Sequence, residues 1–362
     1  MLKFDYSKVV FATELGVGTY GTIYPYQKDP NDKRFVVKHM HAKDTNTLLS
    51  MIQEIVIGFS CNHPYIMPVT GYYIEPLKPK GFNVFIKMPR MKENLNDFIR
   101  TQRRNNVSKI PEEKVVKYLH AMLSAMEYLV DKKIAHRDIK PTNVLLDEEG
   151  NIKLSDIGSA TFIDDEEGIN LISQQVGTFF YMAPEVLANF RDIKRKDLYV
   201  SDIWSMGLVI AELCLLQTQL MNPHQYPKEP IIKDILNKIQ ANYGQNLVKV
   251  LTEMLHVNPN QRNKTAKDLK VMLEESYASI FSKEKPADPL PIQKVEKPSE
   301  KPVKKAKEEK VKEEKGQDMG ASTKSVIISI KVNSFSDVFL DRINRNFFVN
   351  LFIEIFPICR GE

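Results

Sequence analysis

Apolar residues follow two different rhythms along this chain. Between about residues 8 and 88 they come in short runs rich in β-branched and aromatic side chains: "KVVFATEL", "GTIYPYQK", "RFVVKHM", "YIMPVTGYYIEP" and "FNVFIKM". Such runs predict strands, because branched and aromatic side chains suit a pleated, half-buried surface. One segment near "TLLSMIQEIVIGF" interrupts them with a helical pattern. From about 94 to 281 the spacing lengthens. In "VVKYLHAMLSAMEYL" the residues Val116, Leu119, Met122, Leu123, Met126 and Leu129 recur at helical intervals and predict a buried helix. Further helices are expected at "DIWSMGLVIAELCLL", "NLVKVLTEML" and "AKDLKVMLEESYASIF". Two short apolar runs around an acidic Gly turn, "VLLDEEGNIKLSDIG", predict a hairpin. The expected class is α+β, with a small β-rich N-lobe (about 8–88) holding one main helix and a larger helical C-lobe (about 94–281).

The pattern then stops. Residues 283 to 315 read "KEKPADPLPIQKVEKPSEKPVKKAKEEKVKEEK", with few aliphatics to offset the entropy of ordering. A disordered Lys/Glu/Pro-rich tail is expected over 282–325. From 326 to 362 the sequence turns apolar, but "FFVNLFIEIFPI" is too short to span a bilayer and carries Asn350 and Glu354. No role is assigned to it.

Composition narrows the possibilities. With 51 Lys and Arg against 46 Asp and Glu, the chain has no general nucleic-acid footprint, and no nucleic-acid partner is expected. The scattered Cys61, Cys214 and Cys359 suggest neither a disulfide framework nor a zinc cluster. The first residues, "MLKFDYSKVVFATEL", lack the apolar core of a signal peptide, and no run of about eighteen uninterrupted apolar residues occurs. An intracellular protein is expected, cytoplasmic with the nucleus as the second compartment.

Chemistry-bearing residues gather at three places. "ELGVGTYGTIY" sets Gly16, Gly18 and Gly21 between two predicted strands, where glycines let a backbone approach a phosphate closely. A dinucleotide fold is excluded, since that requires a helix directly after the glycines. Lys38 lies inside the apolar strand "FVVKHM", and Glu54 lies in the one N-lobe helix. The two suit either a phosphate-holding ion pair or an ordinary surface pair. The loop "HRDIKPTN" (136–143) has almost nothing to feed a core, yet sits between strong core elements, as functional loops do.

In this order, followed by "DIG" (156–158), "GTFFYMAPE" (177–185), "DIWSMG" (202–207) and "NPNQR" ending at Arg262, these segments resemble the eukaryotic protein kinase superfamily, and more narrowly serine/threonine kinases. The resemblance covers about residues 8 to 281 and implies the two-lobed kinase fold, ATP and Mg2+ as cofactors, and Ser/Thr hydroxyls of protein substrates as acceptors. It implies Asp138 as the acceptor of the substrate proton, Lys140 as a cation near the phosphoryl oxygens, and Asn143 with Asp156 as metal ligands. Leu15, Gly16, Val17, Gly18, Gly21, Ile23, Val36, Lys38, Glu54 and Met91 would surround the nucleotide. Lys140 and Thr178 match the Ser/Thr branch. A phosphate on Ser173 would find Arg137 as its cationic partner. Glu185 and Arg262 are expected to form a buried ion pair, and Asp202 to brace the catalytic loop. Met182 stands where cyclin-dependent and mitogen-activated relatives carry arginine, which argues against that branch.

Three positions depart from the pattern. Ile157 replaces an aromatic residue, Pro89 stands where an acidic residue is common, and Gly58 follows Glu54 by one helical turn, which predicts a packing gap filled by Phe59 or by a partner. A pseudokinase scaffold with little turnover is the alternative function. The charged tail is a candidate docking segment for a large target.

Overall fold

The computed structural model describes residues 4–18, 21–77, 80–163, 177–189, 197–221 and 228–282. The tail and apolar segment expected after Ser282, and Ser173, lie outside these residues.

The strand-forming runs assemble one antiparallel sheet from β1 (Gly16–Gly18), β2 (Gly21–Pro25), β3 (Phe35–Ala42), β4 (Gly71–Pro76) and β5 (Phe82–Pro89), in the order β1-β2-β3-β5-β4. Alternation along β3 sends Val37 to one face and Lys38, Met40 and Ala42 to the other. Helix α1 (Thr45–Ser60) starts where Asp44 accepts a hydrogen bond from the Thr47 amide at 2.8 Å. It packs on the Met40 face through Leu48, Ile52 and Ile55, against Ile74, Val84 and Ile86. The opposite face is covered by the chain's own start. Phe4 stacks on Tyr73 (ring centroids 5.8 Å apart) and Tyr6 stands edge-on to Phe85 (5.4 Å), over the buried Val37.

The helical lobe comprises α2 (Leu95–Arg104), α3 (Glu112–Asp131), α4 (Pro184–Asn189), α5 (Asp197–Leu215), α6 (Glu229–Gln240), α7 (Gln245–Met254), α8 (Ala266–Ser276) and α9 (Ala278–Phe281). By length and composition α5 is apolar enough to cross a membrane, but 83% of that stretch is buried inside the lobe, with Trp204 fully enclosed. It is the core helix. Three very short strands were not separately predicted: β6 (Glu93–Asn94), β7 (Ile134–Ala135) and β10 (Thr161–Phe162). The predicted hairpin is β8 (Val144–Leu146) and β9 (Ile152–Leu154), with Val144 opposite Leu154. The strand β6 extends it, and β10 pairs with β7.

The gap expected at Gly58 is absent. A Cβ built there would lie 2.2 Å from Cγ2 of Val69, so the space is already occupied by a side chain from the loop before β4. Phe59, the expected filler, points elsewhere: it is 39% exposed and stands edge-on to Tyr72.

Candidate active site

The first element of the site is the β1–β2 hairpin, whose register pairs Gly18 with Gly21 and Gly16 with Ile23. Gly16 has open space where a Cβ would be, so its backbone face stays clear. Gly21 serves a different need. At φ +151° its Cβ would fall 2.4 Å from the His39 carbonyl oxygen, so only glycine lets β2 start this close against β3. Leu15 and Val17 lie exposed on this hairpin. Ile23 pairs with Lys38, and Val36 with Met88. Met91 follows β5 in the link to β6 that joins the two lobes.

Lys38 is 7% exposed and Glu54 6%, so the surface-pair alternative is ruled out. The Lys38 ammonium donates to Glu54 Oε1 at 2.8 Å and to Asp156 Oδ1 at 2.9 Å. Burial works against its charge, but the two carboxylates outweigh that and hold its pKa above the usual lysine range. Asp156 adopts a left-handed conformation (φ 59°, ψ 65°) directly before the 3-10 turn Ile157–Ser159. That conformation is costly for a residue with a Cβ and is common where a site imposes it.

The loop 136–143 hangs from Asp202 of α5. Its Oδ2 accepts from the His136 amide and its Oδ1 from the Arg137 amide, each at 2.8 Å. Burial pushes this carboxyl upward, while the two amides and the Arg137 charge pull it back. The fully buried His136 ring faces the Ser155 carbonyl through Nε2 at 3.1 Å, and its Nδ1 accepts from the Asp138 amide at 3.3 Å. Nε2 therefore carries the proton. The positive φ of Arg137 (69°) turns the chain so that Asp138 follows.

Asp138, 3% exposed, is the hub. Its Oδ2 accepts from Lys140 Nζ at 2.7 Å and from Asn143 Nδ2 at 3.2 Å, and its Oδ1 from Thr178 Oγ1 at 2.9 Å. The Thr178 hydroxyl also accepts from Lys140 Nζ at 2.9 Å. Asn143 directs its amide nitrogen to the Asp138 carbonyl at 2.8 Å as well, which leaves its side-chain oxygen outside this network. The Ser155 amide donates to the Asn143 carbonyl at 2.8 Å, one rung beyond the hairpin, and so places Asp156 next to Asn143. One amide oxygen and one carboxylate suit a hard cation that keeps most of its shell for water and phosphate, as magnesium does. No cluster of three or more His, Cys, Asp or Glu that could hold a metal occurs among the described residues.

Beneath this network the expected pair forms, with Arg262 Nη2 donating to Glu185 Oε2 at 2.7 Å. The guanidinium is fully buried over Trp204, and among the described residues its Nε and Nη1 have no partner.

A family model described as the protein kinase domain matches residues 9–274. The chain belongs to the protein kinase family. Among similar proteins, serine/threonine-protein kinase dst2 of Dictyostelium discoideum is 29% identical over 264 residues, covering 71% of this chain and 22% of that one. Mitogen-activated protein kinase sma-5 of Caenorhabditis elegans is 29% identical over 210 residues, 56% of this chain and 40% of its own. Human serine/threonine-protein kinase 32B is 26% identical over 295 residues, with 78% and 67% covered. The chain thus spans only part of the curated relatives it matches.

Sequence reasoning missed two groups in this kinase. Glu212 of α5 accepts from the Tyr181 hydroxyl at 3.0 Å and the Leu220 amide at 3.2 Å, and so ties down the loop that carries Thr178. Burial pushes its carboxyl up to about 7. Its signal was a lone carboxylate inside the apolar run "GLVIAELCLL". Gln53 of α1 donates to the Ala160 carbonyl at 3.0 Å, a link that leaves no mark in the sequence.

Proposed function

We propose that this chain is an ATP- and magnesium-dependent protein serine/threonine kinase. The observation that carries the reading is the Asp138 carboxylate, held by Lys140, Asn143 and Thr178, beside an Asp156 tethered through Lys38 to Glu54.

In this reading Asp138 receives the proton of a Ser or Thr hydroxyl. That oxygen then bonds the γ-phosphorus of ATP, and the bond to the β–γ bridging oxygen breaks to leave ADP. Lys140 lies against the transferring oxygens, and Lys38, fixed by Glu54, holds the nucleotide phosphates. Asn143 and Asp156 would hold magnesium, which supplies positive charge to the phosphates when bound. Thr178 fixes Asp138 and Lys140 at one distance, a task of positioning. The choice of Ser and Thr as acceptors draws on Lys140 and Thr178, and on relatives whose names state that specificity. The Lys/Glu/Pro-rich segment after Ser282 is assigned to docking of large targets, and the protein to the cytoplasm.

The test is transfer of labelled γ-phosphate to a generic Ser/Thr substrate by the full chain and by Asp138→Asn. Transfer that vanishes in the variant supports the kinase. Absence of transfer by the unaltered chain, with nucleotide still bound, would establish the scaffold instead.

A further inference from the structure

The helical lobe carries a groove that none of the chemistry above uses. Helix α3 forms one wall with Tyr118 and Ala121, the β8–β9 hairpin forms the other with Ile152, and Tyr65 and Phe281 complete the apolar lining. It encloses about 440 Å3, inside the range of about 300–1,000 Å3 typical of sites that hold a ligand.

Two features point to what fills it. Phe281 stands next to Ser282, where the described chain ends, and its ring lies 4.5 Å from that of His120, whose Nε2 meets Glu274 Oε1 at 2.8 Å. The chain therefore leaves α9 at the edge of the groove. The second feature is the charge on the rim. Lys117 pairs with Glu113 at 3.1 Å, and Lys114 lies over the rings of Phe98 and Tyr118 at 4.8 and 5.5 Å, whereas Glu149 enters no ion pair among the described residues. One acidic rim position is left for an incoming cation.

The sequence after Ser282 begins "KEKPADPLPIQKV". Leu290 and Ile292 are its first large aliphatic residues, with Lys285 and Lys294 on either side and Pro286, Pro289 and Pro291 among them. Those prolines restrict the free segment, so less entropy is lost when it is seated. The eight residues from Ser282 to Leu290 span about 25 Å when extended, whereas the α3 wall from Glu113 to Ala121 runs about 12 Å. Reach is no obstacle.

We propose that this groove is the seat of the chain's own segment 285–294, with Leu290 and Ile292 against Tyr65, Ile152 and Phe281 and a flanking lysine at Glu149. A tether this short supplies an effective concentration of about 1 mM, so even modest contacts fill the groove. A target that docks on the tail must then compete with the groove for it. The seat itself does not depend on phosphoryl transfer.

The experiment uses the full chain and a fluorescent peptide of residues 283–295, followed by anisotropy. Leu290→Asp with Ile292→Asp vacates the groove, and this variant is expected to bind the peptide with a Kd near 0.1 mM, about tenfold more tightly than the unaltered chain, whose own segment competes. Adding Lys117→Trp, which fills the groove from its solvent side, should abolish the binding. Equal affinity for the unaltered and vacated chains would mean that the segment lies elsewhere, and the proposal would be wrong. No binding at about 1 mM peptide, or binding indifferent to Lys117→Trp, would overturn it as well. If Lys117→Trp does not fold, disulfide formation within one chain decides: in a Cys359→Ser background, Lys117→Cys should join Gln293→Cys several-fold faster than Ala287→Cys, although Ala287 is nearer along the chain. A rate no greater for Gln293→Cys refutes the seat.

Discussion

The Thr178 hydroxyl donates to Asp138 Oδ1 at 2.9 Å and accepts from Lys140 Nζ at the same distance, so one small side chain bridges the carboxylate and the cation of the loop 136–143. Its methyl group is not part of that bridge. Thr178→Ser is therefore expected to keep most of the activity, and Thr178→Ala to lose about 10- to 100-fold in kcat through misplacement of both partners. Steady-state kinetics with a peptide substrate would check this. Equal losses in the two variants would assign the role to packing.

Lys38→Met is expected to abolish phosphoryl transfer and also to destabilise the protein. The lysine neutralises Glu54 and Asp156, whose side chains are 8% and 20% exposed, and its removal leaves two carboxylates facing each other in a largely dry site. Loss of one partner from a buried pair costs about 3–5 kcal/mol, with the lower end expected here because Asp156 is partly solvated. Adding Glu54→Gln should restore much of the thermal stability and none of the activity. Calorimetry and the transfer assay together separate the two effects.

Asp156→Asn should remove the tightening of ATP binding by magnesium, because two neutral amide oxygens then stand where an amide and a charged carboxylate did. Calorimetric titration of nucleotide with and without the metal reads this directly. An undiminished magnesium effect would place the ion elsewhere.

Glu212 gives the stability a pH signature. Its folded pKa, about 7, lies above the unfolded value of 4.5, so the folded state holds a proton that the unfolded chain releases. This contribution is fully present below pH 4.5, is lost as pH rises toward 7, and is flat above that, with a slope of at most about 1.4 kcal/mol per pH unit. Glu212→Gln, which keeps an oxygen for the Leu220 amide, should flatten the unfolding free energy across that window. An unchanged slope in denaturant melts at several pH values would contradict it.

Legibility in the sequence followed locality. Asp138, Lys140 and Asn143 share one short polar loop between core elements, and Lys38 and Glu54 are lone charges in apolar elements, so each betrayed itself by violating its surroundings. The β3 and β5 runs and the α3 stripe were equally plain, because burial on one face imposes a period. The two-residue strands β6, β7 and β10 were not, since nothing but their neighbours makes them extended. Gly58 was misread for a related reason: a missing side chain looks like a void until the loop that fills it is known, and Val69 comes to it from outside the helix.

The aromatic cover on the outer face of the sheet bears on how this protein can be produced. The family match starts at residue 9, and a recombinant version cut there would look complete by every motif. It would lack Phe4 and Tyr6, which lie over Tyr73 and Phe85. The freshly bared rings and the Val37 strand beneath them would form a sticky patch on the face of the sheet opposite Lys38. Poor solubility of such a fragment would then be a fault of its chosen start, not of its catalytic machinery.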